Sequence, residues 1–267
     1  MIKKHYLLLT ILIFSTVLSA QPNCEAFKYY GDTTKCEACK KSMEISGHYQ
    51  FSKEFQEILD ESLAIDPTYD YAYRAKSVAY LKSGDFLTWK KLIDKAVEYN
   101  TIENLGYRGW CRYQFFRDYE GAIRDIEKLD SLVDYDIGYS ANGDYHLNIA
   151  KALCYKALGQ KKKAVEIIKK QLEVKVGLYD YLHLGVLYFE LGDFDKAEEA
   201  LDKQLKENKL TEAKYYLGLL SKELKEQEKA LSYFREAKEL YLKQYRLFDT
   251  YTHPYDKIYL EDIELEL

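Results

Sequence analysis

The feature that most constrains this chain is a pattern that returns along it at a near-fixed interval. Gly84-Asp85-Phe86 leads to Trp89, Asp118-Tyr119 to Ala122, Gly159 to Ala164 and Gly192-Asp193-Phe194 to Ala197, and a more degenerate copy runs from Lys225 to Ala230. The five marker positions are separated by 33, 42, 33 and 33 residues. A period of that length marks an array of supersecondary units that bury their apolar faces by stacking on one another. In the clearest unit, Tyr181, Leu184, Gly185 and Tyr188 recur at helical spacing, Gly192 stops the helix, and Ala197, Ala200, Leu201 and Gln204 form the stripe of a second. The alanines fall where two helix backbones must come close. With only 13 Gly and 3 Pro in 267 residues, the chain lacks the breakers that an all-β fold with many tight turns needs.

These residues carry a family resemblance. Tyr181, Leu184, Gly185, Tyr188, Gly192, Asp193, Phe194, Ala197 and Leu201 fit, in order, the pattern of the tetratricopeptide repeat. Gly218, Ala230, Phe234 and Ala237 fit it in the last unit, and Ala152, Tyr155, Gly159 and Ala164 in the unit before the clearest. Pro67 is similar to the closing proline of an earlier unit. The departures are Trp89 in place of an alanine, Tyr107-Arg108-Gly109-Trp110 one residue out of register, and the absence of most closing prolines. The resemblance covers roughly 36–241. It implies an all-α fold: an α-α superhelix, or solenoid, of about five helix-turn-helix repeats with a C-terminal capping segment. The expected divisions are a signal peptide at 1–20, a cysteine-containing segment at 21–35, the solenoid at 36–248 and the cap at 249–267, where Ile258, Leu260 and Ile263 would cover the open end.

The 42-residue interval holds about nine extra residues, and Gly138, Ser140, Asn142 and Gly143 place them in a loop between Asp130 and Asp144. Asp134 and Asp136 have the look of a calcium loop. The glycine and the closing glutamate of such a loop are missing, so a solvated loop is the reading taken.

At the N terminus, Lys3 and Lys4 precede a run of 13 largely apolar residues from Tyr6 to Leu18, followed by Ser19-Ala20. This reads as a secretory signal peptide cleaved near Ala20, and the run is short for a membrane span. Gln21 stands where a lipoprotein signal needs its cysteine, so lipidation is not expected. The mature chain is then exported, periplasmic or secreted, without an integral membrane span. Its charge moves from -5 to -7 on losing two lysines, which argues against a basic nucleic-acid binder.

Cys24, Cys36 and Cys39 lie within sixteen residues. In an exported chain two of them are expected to form a disulfide, and of the three pairings Cys24 with Cys39 is favoured, because closing Cys36 to Cys39 within one helical turn staples nothing distant. A redox pair at Cys36 and Cys39 is the sharper alternative, but it lacks the strand context of such motifs. Cys111 and Cys154 read as buried small hydrophobes. No metal-ligand spacing, phosphate loop or nucleophile elbow occurs, so neither catalytic residue, metal nor cofactor is assigned.

What remains is a surface. In tetratricopeptide arrays the first helix of each unit lines a concave groove. The resemblance therefore implies a partner-binding stripe of Tyr71, Arg74, Val78 and Lys82; Tyr107, Cys111 and Gln114; His146, Ile149, Leu153 and Lys156; Tyr179, Leu182, Val186 and Phe189; and Tyr215, Leu219 and Lys222. About half are expected to pack between repeats. The tyrosines, part of an unusual 27, suit recognition of a protein or peptide by aromatic contact. Val78 replaces the asparagine that family members use to clamp a carboxylate, so that function is not carried over. The function expected is a non-catalytic protein- or peptide-binding scaffold of the cell envelope or exterior. A thiol-disulfide active protein and a structural component of envelope assembly are the alternatives.

Overall fold

The computed structural model describes residues 22–267, and the signal-peptide reading lies outside them. Among the described residues there are fourteen α-helices and no strand longer than an isolated bridge. They fall into two compact units that part between Tyr69 and Asp70.

The first unit holds α1 (Cys24–Tyr29), α2 (Thr33–Ser42) and α3 (Lys53–Ile65). Cys24 and Cys39 are joined by a disulfide with their Cα atoms 5.4 Å apart, which fastens α1 to α2. Cys36 is buried and free. The helix pair α2–α3 closes over Ala38, Phe55 and Leu59, and the Ser62 hydroxyl donates to the Ala38 carbonyl at 2.7 Å across it. So close an approach is possible because both contact residues are small.

The second unit is five helix pairs in sequence. They are α4 (Asp70–Ser83) with α5 (Phe86–Tyr99), α6 (Thr101–Cys111) with α7 (Tyr119–Leu132), α8 (Leu147–Ala157) with α9 (Lys161–Val174), α10 (Asp180–Glu190) with α11 (Phe194–Glu207), and α12 (Thr211–Glu223) with α13 (Gln227–Leu242). The five marker residues open the buried stripe of each second helix. Trp89-Ile93-Ala96, Ala122-Ile126-Leu129, Ala164-Ile168-Gln171, Ala197-Leu201-Gln204 and Ala230-Phe234-Ala237 all run at i, i+4, i+7 and are all buried. The expected all-α repeat solenoid is the fold observed.

In three of the five pairs close approach is set by a glycine of the first helix, Gly109, Gly185 or Gly218. A Cβ on Gly185 would lie 2.7 Å from Leu201 Cγ and 3.3 Å from the Ala197 carbonyl oxygen. Gly109 plays the same part against Ile126 and the Ala122 carbonyl, but it precedes its alanine by thirteen residues where Gly185 precedes by twelve. The extra residue is taken up by a π-helical turn, Arg112–Phe116, at the end of α6. That turn is the physical cause of the register slip seen in the sequence. The departure at Trp89 is accommodated next door, where its indole stacks on Phe116 with ring centroids 4.6 Å apart.

The turns within pairs share a left-handed residue followed by a capping position. Gly84, Gly159 and Gly192 have φ of 84°, 76° and 77°, while Arg117 and Lys225 fill the same place in the two pairs without the glycine. Asp85 and Asp118 then cap α5 and α7 by accepting from Thr88 N and Gly121 N. Around Gly192 the space is open, so the cost of a side chain there is conformational. Gly192→Val is expected to destabilise the unit by ~1 kcal/mol or more, a fall of roughly 2–4 °C in melting temperature. An unchanged melting temperature would count against this account of the turn.

In the loop between α7 and α8, His146 Nε2 meets Asp136 Oδ1 at 2.6 Å. Asp136 is thereby held by an imidazole and by the Gly138 amide. No cluster of three metal-ligating side chains occurs among the described residues.

The segment after α13 does not simply cover the end of the stack. From Gln244, which has φ of 65°, the chain runs without regular structure to Tyr259. Only then does the short α14 (Leu260–Glu264) pack on α13, with Ile258 and Ile263 against Ala230, Phe234 and Ala237. The expected cap exists at that point. The stretch before it lies elsewhere.

Candidate functional site: the first-helix face of the repeat array

Residues 244–259 cross the face made by the first helices α6, α8, α10 and α12 of the second unit. At α12, Thr211 donates from its amide and its hydroxyl to the Tyr245 carbonyl at 2.8 and 2.6 Å. The next residue, Glu212, accepts from the Leu247 amide at 3.1 and 3.2 Å with its two carboxylate oxygens. Leu247 is fully buried among Leu182, Val186, Leu210 and Leu217. The chain then reaches the end of α6, where Gln114 donates to the Thr252 hydroxyl and Arg117 to the His253 carbonyl. Lys82 of α4 lies over the Tyr251 ring, 5.0 Å from its centroid. Turning back, Tyr255 stacks on Tyr113 and meets the Tyr119 hydroxyl at 2.7 Å.

Asp256 is the charged anchor. Its carboxylate is bound by Lys156 Nζ at 2.5 Å and by His183 Nδ1 at 2.7 Å, and Lys156 also reaches Glu190 at 2.9 Å. All three anchor side chains are at least nine-tenths buried. Burial alone would push the Asp256 carboxyl up, but Lys156 and His183 outweigh it and hold it below the usual carboxylate range. For Lys156, burial is likewise outweighed by Asp256 and Glu190, and the ammonium is held above its ordinary value.

Glu212 behaves in the opposite way. Burial pushes its carboxyl up to about 7, although hydrogen bonds from its own, the Leu247 and the Ile258 backbone and the charge of Lys257 pull it down. A carboxyl raised in the folded state contributes stability that is fully present below its unfolded value, near 4.5, and lost as pH rises through about 7. Relative to Glu212→Gln, the native chain is therefore expected to lose roughly 2 kcal/mol of stability between pH 5 and pH 8. Urea unfolding of both chains at the two pH values measures it, and parallel pH profiles would refute the assignment.

The predicted groove residues divide into several groups. Leu182 and Val186 are buried and form the pocket for Leu247, and Leu153 is buried in the helix core. His146 is buried too: it caps α8 by accepting from Asn148 N while held by Asp136. Tyr215 and Leu219 pack against the Phe234–Ile258 cluster beneath α14. Half-buried Tyr179 sits beside Tyr145, and half-buried Phe189 lies between Phe194 and Tyr216. At the other end Tyr71, Arg74, Val78 and Tyr107 are half-buried, with Arg74 donating to the Glu103 carbonyl. Asp256, Glu212, His183 and Leu247 are the anchors that helix-stripe reasoning missed. Asp256 and Leu247 lie in the aperiodic tail, and Glu212 and His183 sit off the predicted stripe.

Burial pushes the Cys111 and Cys154 thiols up, away from the thiolate. In the first unit Cys39 is bonded to Cys24 and Cys36 is buried beside them.

The family model of the tetratricopeptide repeat matches residues 145–175 and 181–209, the pairs α8–α9 and α10–α11. No curated protein matches the chain in sequence. Among solved structures, pilF of Pseudomonas aeruginosa is similar with a TM-score of 0.61 at 17% identity, over 79% of this chain and 93% of that one. PilW, described as a widely conserved type IV pilus biogenesis factor, is similar with a TM-score of 0.63 at 14% identity, over 78% and 94%. A chain of the Cut9–Hcn1 hetero-tetramer of the APC/C is similar with a TM-score of 0.53 at 14% identity, over 83% of this chain and 42% of that one. At these identities the likeness is one of fold. No described helix is long and apolar enough to cross a membrane.

Proposed function

We propose that this chain, a tetratricopeptide-repeat protein, is a non-catalytic scaffold of the bacterial cell envelope or exterior that grips an extended segment of a protein partner on its first-helix face. The observation that carries the reading is the face itself. It holds an irregular stretch of polypeptide through a buried apolar pocket, a carboxylate that takes a backbone amide, and a Lys–His pair that takes an acid. These are means by which a groove reads a peptide. Export is supported by the charged, apolar and small-residue order of residues 1–20 and by a disulfide close behind them. An assembly role in the envelope is the second reading, favoured by the shared fold with pilF and with a pilus biogenesis factor over nearly their whole lengths.

The test is affinity capture from the envelope fraction with the chain beginning at Gln21, beside the same chain carrying Tyr179→Ala and Phe189→Ala. A partner retained by the native chain should be lost from the double variant at unchanged helicity. Equal capture would sink the assignment of the face.

A further inference from the structure

The segment from Gln244 to Tyr259 and the face beneath it do not match fully. Gln114 Oε1, the Tyr113 and Tyr145 hydroxyls and His183 Nε2 are buried with no hydrogen-bond partner in the protein. Each belongs to a residue that touches the segment or sits beside one that does. Gln114 holds Thr252, Tyr113 stacks on Tyr255, His183 binds Asp256, and the Tyr145 ring is 5.6 Å from that of His183. Four of the protein's buried unpaired side-chain atoms therefore gather on this one face, which has more hydrogen-bonding capacity than its occupant uses. Within the segment Asp256 takes a left-handed φ of 61°. Its tip stands in solvent, with Phe248 63% and Tyr251 54% exposed. A permanently fixed plug would be expected to satisfy its floor and to bury its aromatic side chains.

From this mismatch we infer that the 245–258 segment is an internal ligand that occupies the partner's place and is displaced when the partner binds. The partner is an extended polypeptide that puts an acidic side chain between Lys156 and His183 and an apolar one into the Leu182–Val186–Leu217 pocket. It also brings polar groups that pair with those the resident segment leaves unpaired. This rests on the reading of the face as the binding surface. The consequence is an affinity set by two quantities, the intrinsic fit of the partner and the fraction of molecules whose segment is released.

Two measurements on the full chain test it. Native-state hydrogen exchange should show the amides of residues 247–256 exchanging at least about tenfold faster than those of α8 and α10, by local opening. Equal protection, lost only on global unfolding, would overturn the proposal. Second, a fluorescent peptide of residues 245–259 serves as the probe. It should bind the Leu247→Asp chain at least about tenfold more tightly than the native chain, and adding Lys156→Met should remove that gain. Equal binding to the native and Leu247→Asp chains at unchanged helicity would also overturn it. If the Leu247→Asp chain does not fold, the exchange experiment on the native chain decides alone. A segment inseparable from the core, together with loss of partner capture in the Tyr179→Ala, Phe189→Ala chain, would refute displacement and leave the proposed function standing.

Discussion

Asp256→Ala is expected to destabilise the repeat unit by about 3 kcal/mol, because it removes one member of a buried ion pair and leaves the others uncompensated. Lys156 keeps Glu190, which holds the loss near the lower end of the range for such changes, whereas His183 Nδ1 is left with no acceptor. Both tryptophans of the chain, Trp89 and Trp110, lie in the second unit, so their fluorescence reports the urea unfolding of that unit alone. Asp256→Asn keeps the shape and an acceptor but not the charge, and should lose less. Replacing Asp256 by leucine together with Lys156 by methionine should recover part of the loss, since an apolar pair avoids the desolvation that the charges suffer. A loss below ~1 kcal/mol for Asp256→Ala would show that the anchor is dispensable to the fold.

The second large effect belongs to the first unit. Cys24 and Cys39 close a loop with a sequence separation of 15, and opening it with serine at both positions is expected to cost about 3 kcal/mol. For a unit of three helices that is a large share of its stability. The prediction is local: exchange of the α2 and α3 amides should rise steeply while the tryptophan transition of the second unit stays put. Undiminished protection of α3 would mean that Ala38, Phe55 and Leu59 hold the unit without the bridge.

Much of the fold is legible in the residues because its information is local and periodic. Each of the five marker positions falls on the second helix of a pair, and Gly192, with its positive φ, sits at a predicted turn. The slip at Tyr107-Arg108-Gly109-Trp110 is visible in the sequence as a misfit, but its form is not, because a π-turn costs one residue and leaves no compositional mark. The candidate site was legible only as helix faces. Leu182 and Val186 lie on the predicted stripe and do line a pocket, but its contents come from Leu247, which belongs to no period. The His146 imidazole is drawn to Asp136 in the inserted loop, a contact that helical spacing cannot reveal. Asp256 was invisible for a similar reason. Its meaning depends on Lys156 and His183, 100 and 73 positions away in the sequence, and an acid in a tail rich in acids gives no signal by itself.

Repeat arrays are normally held by contacts between adjacent units, so they can fray from an end one unit at a time. Here Thr252 meets Gln114 across 138 positions and Asp256 meets Lys156 across 100. The last stretch of the chain therefore closes a circuit that runs from α12 back to α6 and, through Lys82 over Tyr251, to α4. While the segment is seated the pairs so joined should melt together, and its release should leave a stack held by contacts between neighbouring pairs alone. A chain shortened by its last twenty residues would lose this circuit along with its end, and would become again an array that unravels stepwise.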